Sequence, residues 1–555
     1  MLSWDPERVP ADRRDALIGP GAPFELVEED VLGVRLPVFA HRLPHVRAML
    51  AHAAATRADV PYLVFPERTY TFGDVAAAVG RVAQVLADDY GVTKGDRVGF
   101  AAANIAPYAV TWWAALSLGA IVTSLNGWWS PAELRYGVEL TTPKVVFADA
   151  RRLERLGEAG LGDDVRIVPF EALDDILAAD GGTLPDVAID EDDPLLILFT
   201  SGTTGRPKGA VLSHRNMVHC AMLAAFGGAV GAMPGVVATG QPAVVQTGPF
   251  FHISGALPLA SAALLGTKMV FAPPGPWSEV THFELTEQHR ITAWSGVPTN
   301  FWRLFESPDF DRFDLSSVMS IGGGGAVFPP EIIRLARSRI PTLRIGFGYG
   351  MSETVGSGTR LGGPLIDSAP DSIGAVEPTT FIEVRGADDE PLPDGEVGEI
   401  CIKGACVFLG YWDNPEATRA ALTDDRWYRT GDFGHVRDEY VYLEGRRNDL
   451  IIRGGENIYP AEIENRLIEH PDITEVAVVG VDHPTLGQEV KAYVVARTTG
   501  ALTEDDVRDF AARSLATYKV PTHVEFVTDL PHNAAGKVLK HLLGKPQAST
   551  GFVEE

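Results

Sequence analysis

The stretch that decides the fold is Thr200-Ser201-Gly202-Thr203-Thr204-Gly205-Arg206-Pro207-Lys208-Gly209, which follows an apolar run. Its ten residues include four hydroxyl side chains, three glycines and two cations, so it does not belong to a hydrophobic core. Glycine lets the backbone approach a ligand closely. Successive N–H groups, the hydroxyls and Lys208 would together bind an anion, and we expect a polyphosphate. It is not a Walker A loop, because Gly209 rather than Ser or Thr follows Lys208.

The segments around this loop alternate between strand-like and helix-like patterns. The apolar run 194–199 predicts a short buried strand. Similar runs at 97–100, 144–148 and 268–271 are separated by helical patterns. This alternation indicates βα units, mainly parallel sheets and an α/β fold. Residues 1–45 contain six prolines and predict an irregular N-terminal arm.

The pattern changes towards the carboxyl end. From about 380 to 445, turn signals separate short β-like runs and predict a small β subdomain. After a polar break at 445–449, about a hundred residues carry their own helices and strands, enough for a separate α+β domain. We therefore expect a large N-terminal domain over 1–445 and a smaller C-terminal domain over 450–555.

Composition limits the classes of partner. The chain has 555 residues, a net charge of −27 and a pI of about 4.9, which argues against binding to nucleic acids or anionic membranes. Its three cysteines form no disulfide framework and suit a reducing compartment. The N-terminus lacks a signal-peptide pattern, and no apolar run is long enough to span a bilayer. We expect a cytoplasmic protein without a transmembrane segment.

A second dense stretch runs from Gly346 to Thr354. Glycines on both sides of Tyr349 leave one aromatic face open for a stacked base. Ser352 can donate to a phosphate oxygen, and Glu353 suits Mg²⁺, which binds through one or two carboxylates plus substrate phosphates. The alternative is a tight strand–turn with Ser352 as a helix N-cap.

Three further signals have structural alternatives when taken singly. The ribbon 322–326 could lie flat against a planar base, or form a strand-to-helix turn before the proline pair at 329–330. Asp432 after Gly431 could hold two ribose hydroxyls, or be a turn residue. Lys537 alone would be a solvated surface cation.

Taken together, these stretches resemble the adenylate-forming superfamily, which includes acyl-CoA synthetases, peptide-synthetase adenylation domains and beetle luciferases. The loop at 200–209, Tyr349-Gly350-Met351-Ser352-Glu353, Tyr428-Arg429-Thr430-Gly431-Asp432, Gly445-Arg446 and Gly536-Lys537 occur in that family's order and spacing. The resemblance extends from about residue 45 to residue 542.

The resemblance implies a role for each matching position. The donors to the β- and γ-phosphates would be Thr200, Ser201, Gly202, Thr203, Thr204, Gly205 and Lys208. The residues around adenine would be Gly324, Gly325, Ala326, Gly348, Tyr349 and Gly350. Ser352, which stands where the family usually has Thr, would keep the hydroxyl at the phosphates. Glu353 would bind Mg²⁺, Asp432 and Arg446 would lie at the ribose, and Lys537 would be the catalytic lysine.

The reaction implied has two halves. A carboxylate attacks the α-phosphorus of ATP to give acyl-AMP and pyrophosphate, and the thiol of coenzyme A then displaces AMP. The C-terminal domain would act as a lid that swings about a hinge at 446–449 between the two steps. Asn448 falls at this hinge, where Asp or Lys is commoner. The lid would present Gly454 and Gly455 to the thiol. The resemblance allows a homodimer.

The acyl pocket is implied by two stretches. The segment 249–255 matches the family stretch that borders the acid, and His252 would orient the carboxylate, contact the acyl chain, or simply cap or pack. Trp294 to Thr299 would line the same region. Apolar residues here favour an apolar acid, such as a fatty acid, and leave its length and rings open.

Four functions are compatible with these signals to different degrees. The one we favour is an acid–thiol ligase that makes acyl-CoA. The alternative is an acyl-AMP ligase that loads a carrier protein in trans, since the chain ends soon after Lys537. A luciferase-like oxygenase would need a particular luciferin pocket. A non-catalytic nucleotide-binding module would not need the loop at 200–209, Glu353, Asp432 and Lys537 together.

Overall fold

A computed structural model describes most of the chain. The described residues are 1–162, 165–200, 207–231, 240–324, 328–446, 449–453, 456–483, 486–498, 500, 502–532 and 538–544. In this part of the chain, no helix combines the length and the hydropathy needed to cross a bilayer.

The strands follow one another along the chain as short segments. In order they are β1 (Leu2–Ser3), β2 (Leu26–Val31), β3 (Val34–Phe39), β4 (Pro61–Val64), β5 (Thr69–Thr71), β6 (Arg97–Ala101), β7 (Ile121–Ser124), β8 (Val145–Ala148), β9 (Ile167–Pro169), β10 (Pro194–Thr200), β11 (Lys208–Ser213), β12 (Ala243–Val245), β13 (Lys268–Val270), β14 (Ala293–Gly296), β15 (Ser320–Gly323), β16 (Arg344–Tyr349), β17 (Thr359–Gly362), β18 (Ala375–Val376), β19 (Thr380–Arg385), β20 (Gly398–Gly404), β21 (Gly410–Tyr411), β22 (Tyr428–Arg437), β23 (Tyr440–Arg446), β24 (Ile451–Arg453), β25 (Glu456–Ile458), β26 (Ile473–His483), β27 (Gly487–Ala496) and β28 (His523–Phe526).

The helices separate many of these strands. In order they are α1 (Arg14–Ile18), α2 (Val46–Arg57), α3 (Phe72–Asp88), α4 (Ala106–Ser117), α5 (Pro131–Thr141), α6 (Ala150–Glu158), α7 (Asp174–Ala178), α8 (His214–Val230), α9 (Ile253–Leu265), α10 (Glu279–His289), α11 (Pro298–Glu306), α12 (Pro330–Arg339), α13 (Leu365–Ser368), α14 (Pro415–Ala421), α15 (Pro460–Ile468) and α16 (Glu504–Ala512).

Two large, mainly parallel sheets form the body of the molecule, which confirms the α/β prediction. One has the order β21-β11-β10-β7-β6-β8-β9, and the other the order β18-β17-β16-β15-β14-β12-β13-β4-β5. Strands β6 to β10 of the first sheet run parallel to one another, and so do strands β12 to β16 of the second. Helices α3, α4, α8 and α9 share one hydrophobic core, in which Trp112 and Trp113 are fully buried. Ligand sites in such folds form where the parallel strands end.

Two smaller sheets complete the architecture. An antiparallel sheet of order β1-β19-β20-β22-β23 corresponds to the predicted β-rich region, with an added strand from the N-terminus. A separate sheet of β25-β24-β27-β26, with β28 beside β27, lies in the C-terminal part and has its own core with α15 and α16. The smaller C-terminal α+β unit was therefore predicted correctly.

The N-terminal arm differs from its prediction. Residues 26–39 form the β2–β3 hairpin instead of an irregular segment. Leu32 and Gly33 both have positive φ values, 53° and 85°, as the tight two-residue turns that match strand twist require. Pro37 lies in β3, which has one neighbour, and a two-stranded sheet tolerates the missing donor.

Candidate active site

The polyphosphate loop connects two antiparallel strands. Thr200 ends β10 and lies opposite Lys208, the first residue of β11. The predicted strand at 194–199 is confirmed, and its central residues are buried. The side-chain ammonium of Lys208 lies 5.1 Å from the ring centroid of Tyr411. Of the proposed loop donors, Ser201, Gly202, Thr203, Thr204 and Gly205 lie outside the described residues.

Glu353 is an acidic residue that contacts Thr200 at the start of this loop and Tyr411. We call these three residues the Glu353 cluster. It lies in a single 3-10 turn, Ser352–Thr354, and is buried. Its Oε1 accepts hydrogen bonds from the Tyr411 hydroxyl at 2.9 Å and from the Thr200 hydroxyl at 3.3 Å. Its backbone oxygen accepts from the Phe408 N–H at 2.8 Å.

The turn that carries Glu353 is held by tight backbone packing. Val355 has a φ of 56°, and a side chain on Gly350 would overlap the backbone of Gly356. The Gly356 N–H donates to the Met351 carbonyl at 2.7 Å, which closes the loop. The glycine at 350 is thus explained by a close backbone approach.

The two tyrosines near Glu353 are neutral hydrogen-bond donors. Burial, followed by the charge of Glu353, raises the pKa of the Tyr411 hydroxyl. Burial and the same charge also raise the pKa of Tyr428. Both phenols therefore stay protonated at neutral pH. A buried carboxylate with hydroxyl neighbours at a loop rich in donors fits Mg²⁺, which takes oxygen ligands and completes its shell from substrate phosphates.

The second acid of the site is Asp432, a residue of β22 that contacts Tyr349 at the end of β16. Asp432 is buried, and its Oδ2 accepts from the Tyr349 hydroxyl at 2.9 Å. Asp432 lies opposite Arg446 in the β22–β23 pair. The turn before it is fixed by Gly431, whose N–H donates to Glu399 at 2.9 Å. This contact brings together Tyr349 and Asp432, which the resemblance assigns to adenine and to the ribose.

A cavity of about 260 Å³ joins these groups to the C-terminal part. Gly348, Tyr349, Gly350 and Asp432 line one side. The other side is formed by Asp449, the last residue of the predicted hinge, and by residues beyond it: Pro460, Ala461, Glu464, Val538 and Lys540. Lys540 is paired with Glu464 at 2.8 Å. A cleft of about 470 Å³ at the opposite edge of the sheet, beside β4 and β5, contains none of the predicted site residues.

The remaining predicted residues are Gly324 and Arg446, which the structure describes wholly or in part, and a set that lies outside the described residues. Gly324 follows β15, and a side chain there would crowd the Gly348 carbonyl at 2.7 Å. The backbone of Arg446 ends β23, while its side chain is not described. The predicted residues that lie outside the described part of the chain are Gly325, Ala326, Asn448, Gly454, Gly455 and Lys537.

The acyl-pocket predictions have a mixed outcome. His252 is the N-cap of α9, and its Nδ1 accepts from the Ser254 N–H at 3.2 Å. Burial lowers the pKa of its imidazole, so it is neutral at pH 7. Trp294 does not line the pocket: it is buried in the second core, and its indole N–H donates to Thr286 at 3.1 Å. Ser295 and Thr299 are exposed in the same region.

Sequence reasoning missed the role of Tyr411. It follows Gly410 in a short strand that pairs with β11, and this pairing brings its hydroxyl to Glu353. No spacing rule connects the two positions, because the contact depends on sheet pairing.

Glu353 lies just after β16 and accepts from Thr200 at the end of β10, while Asp432 accepts from the Tyr349 hydroxyl at the end of β16. Acidic side chains where strands of α/β sheets end are typical of nucleotide sites in this class of protein. Comparison with known proteins makes this specific. The chain belongs to the AMP-binding enzyme family, whose model matches residues 50–412, and the model of that family's C-terminal domain matches residues 462–537.

The relatives and structural neighbours are consistent with this family. The chain is 34% identical over 506 residues to the sulfoacetate–CoA ligase of Cupriavidus necator, covering 88% of this chain and 96% of the relative. It is 34% identical over 476 residues to a feruloyl-CoA synthase of an Amycolatopsis species, covering 85% and 92% of the two chains. The o-succinylbenzoate CoA synthetase of Bacillus subtilis, solved with its acyl-adenylate intermediate, superposes with a TM-score of 0.79 at 26% identity, over 91% of this chain and 99% of that one.

Proposed function

We propose that this chain is an ATP-dependent acid–CoA ligase. A carboxylate oxygen forms a bond to the α-phosphorus of ATP, the bond to the β-phosphate breaks, and pyrophosphate leaves. The sulfur of coenzyme A then attacks the acyl carbon, and AMP leaves. The observation that carries this proposal is a single cavity lined both by Tyr349 and Asp432 and by residues from beyond the hinge. The hydrogen-bonded pair Glu353 and Tyr411 belongs to the same site.

The chain's residues would act mainly by position and charge. The first step brings two anions together, so most of the catalysis must come from orientation and charge neutralisation. Lys208 and the loop hydroxyls would hold the outer phosphates, and Asp432 the ribose. Mg²⁺ on Glu353 would neutralise charge on the departing pyrophosphate. Lys537 would bridge the carboxylate and the α-phosphate.

ATP–pyrophosphate exchange across a panel of carboxylic acids tests this proposal. We expect exchange with at least one acid, and acyl-CoA formation when coenzyme A is added. A carrier protein offered instead of coenzyme A should accept the acyl group poorly, since the relatives named above are CoA ligases. Absence of exchange with every acid would contradict adenylation, whereas exchange without acyl-CoA would favour the carrier-protein alternative.

We also propose the domain division 1–445, a hinge at 446–449 and a lid over 450–555. The separate C-terminal sheet supports it, as does the family model that begins at residue 462. Gly454 and Gly455 would let the pantetheine arm pass in the thioester-forming arrangement. A cytoplasmic location and a homodimer stay predictions of the sequence.

Replacement of Asn448 by proline should separate the two half-reactions. Proline fixes φ near −65° and removes a donor, so the hinge would lose the rotation that the lid needs. We expect acyl-AMP formation to persist, while thioester formation from supplied acyl-AMP falls about 100-fold, of the order seen when a catalytic group is misplaced. Single-turnover assays of each half-reaction measure this. Asn448→Asp, which keeps the backbone free, is the matched control. Normal overall turnover by the proline variant would contradict the domain swing.

A further inference from the structure

One face of the nine-stranded sheet is bare beside the nucleotide cavity. Ser295, Gly322 and Gly346 are aligned across β14, β15 and β16, and Gly348 follows on the same face of β16. Among the described residues, a methyl group built on Gly322 would meet only the Gly346 carbonyl, at 2.9 Å. One built on Gly346 would meet nothing nearer than 3.9 Å. Ser295 is exposed and the three glycines carry no side chain, so we call the space over this face the groove and the face itself its floor.

The guanidinium of Arg360 lies over this floor. Arg360 is opposite Gly348 in the β16–β17 pair, so both project to the same face. Its Nε and Nη2 are 3.9 Å from the position that a Cβ on Gly346 would occupy. On the other side the guanidinium fits against Gly227 in the last turns of α8, where a methyl group would overlap it. The groove therefore has a cation between its floor and the helix above.

Arg360 has little to pair with among the described residues. Among the partners that the described residues provide, it has one ion pair, with Glu377 at 3.9 Å, the limit of such contacts, and no side-chain hydrogen bond. The other oxygen of Glu377 accepts from the Ser357 hydroxyl at 2.9 Å. The Arg360 side chain is 45% exposed, and a guanidinium offers five N–H donors. These donors are available to a ligand in the groove.

A second arginine makes this end of the groove more positive. Arg344 lies two residues before Gly346, hence on the same face of β16, and its Nη1 donates to the Gly231 carbonyl at 3.3 Å after α8. Two cations at one end of a groove stand out in a chain with a net charge of −27. Their field favours an anion there.

The groove leads from this end to the nucleotide cavity. Three residues, or about 10 Å of strand, separate Gly346 from Tyr349, which lines that cavity. The Thr247 hydroxyl donates to the Ser295 carbonyl at 3.4 Å, which brings the segment that precedes His252 to the rim. An acid whose carboxylate reacts at the cavity would extend its body over the glycine face towards Arg360.

We propose that the acid substrate carries a second anionic group, a carboxylate or sulfonate, at the end remote from the reacting carboxyl group, and that this second group pairs with Arg360. This proposal rests on the ligase function proposed above. The body of the acid crosses glycine backbone and stays apolar, as the sequence indicates. Arginine binds a planar carboxylate through two parallel hydrogen bonds, which gives geometric selectivity as well as affinity.

The test compares α,ω-dicarboxylic acids with monocarboxylic acids of the same length in ATP–pyrophosphate exchange. The pairs are succinic with butyric, adipic with hexanoic, suberic with octanoic and sebacic with decanoic acid. We expect the wild type to prefer the diacid of at least one pair by about 10-fold or more in kcat/KM, as expected for a lost charged hydrogen bond. Preference for the monoacid in every pair would overturn the proposal, even though the ligase function would stand. If neither these acids nor any other carboxylic acid supported exchange, both this proposal and the ligase function would be overturned.

Variants of Arg360 decide whether this residue causes the preference. Arg360→Met should abolish the preference for the diacid, chiefly through KM, because the contact is equal in ground and transition states. Its rate with the monoacid is the internal control for folding. Arg360→Lys keeps the charge and should restore part of the preference. Arg334→Met, on the exposed side of α12, is the matched control. Retention of the diacid preference by Arg360→Met would overturn the assignment, and so would an Arg360→Lys variant that keeps the monoacid rate but has no diacid preference.

Discussion

Lys537→Ala should lose acyl-AMP formation by about 1,000-fold or more, while thioester formation from supplied acyl-AMP stays within a few-fold of the wild type. The physical reason is that the first half-reaction joins two anions and needs a cation between them, whereas attack of a thiol on an acyl-adenylate does not. Separate single-turnover assays of the two steps measure the effect.

The neighbourhood of Lys537 supports this expectation. Val538 and Lys540, which follow it closely, line the cavity that contains Tyr349 and Asp432. Lys491→Ala is a suitable control, because that lysine is paired with Glu525 on the C-terminal sheet at 2.7 Å and does not line the cavity. Equal loss of both half-reactions in Lys537→Ala would show that the lysine stabilises the fold rather than serving one step.

Local signals were sufficient for the framework of the fold. The run 194–199 is apolar throughout because β10 lies inside a sheet between β7 and β11, and such a pattern is visible without any tertiary information. The start of α16 is also visible in the sequence alone, because Thr503 and Asp506 form a capping box within four residues. The hairpin at 26–39 was missed because its signal is one glycine after a leucine that adopts positive φ, which leucine rarely does.

Contacts between segments that are far apart in the sequence could not be predicted from local sequence patterns. Tyr411 reaches Glu353 across 58 residues through the pairing of β21 with β11, and no local pattern encodes that distance. Trp294 was placed in the pocket because its neighbours are there, but alternation along β14 directs its side chain into the core and that of Ser295 outward. The sequence did not identify Arg360 as a site residue. Its environment is formed by one glycine in α8 and two in β16, which are distant from it or on another element.

The charge distribution explains how an acidic protein can bind polyphosphate. The net charge of −27 belongs to the whole chain, and salt screens interactions between exposed charges beyond about 10 Å. Near the loop, Lys208 contributes a cation, while Glu353 is buried and hydrogen-bonded. A divalent ion would turn this acid from a repulsive into an attractive element. The site is therefore expected to depend on Mg²⁺ more steeply than on ionic strength.

Glu353→Gln tests that dependence and should lower adenylation by about 100-fold or more, because the charge that holds Mg²⁺ is lost while the shape is kept. The Gln carbonyl can still accept from Tyr411 and Thr200, so the fold should be retained, and removal of a buried charge should not lower the melting temperature. The measurement is ATP–pyrophosphate exchange as a function of Mg²⁺ concentration, with Glu139→Gln on the exposed side of α5 as control. We expect the apparent Mg²⁺ requirement of Glu353→Gln to rise and its defect to shrink at high Mg²⁺. An unchanged Mg²⁺ dependence with a lowered rate would mean that Glu353 orders the loop through Thr200 instead of binding the ion.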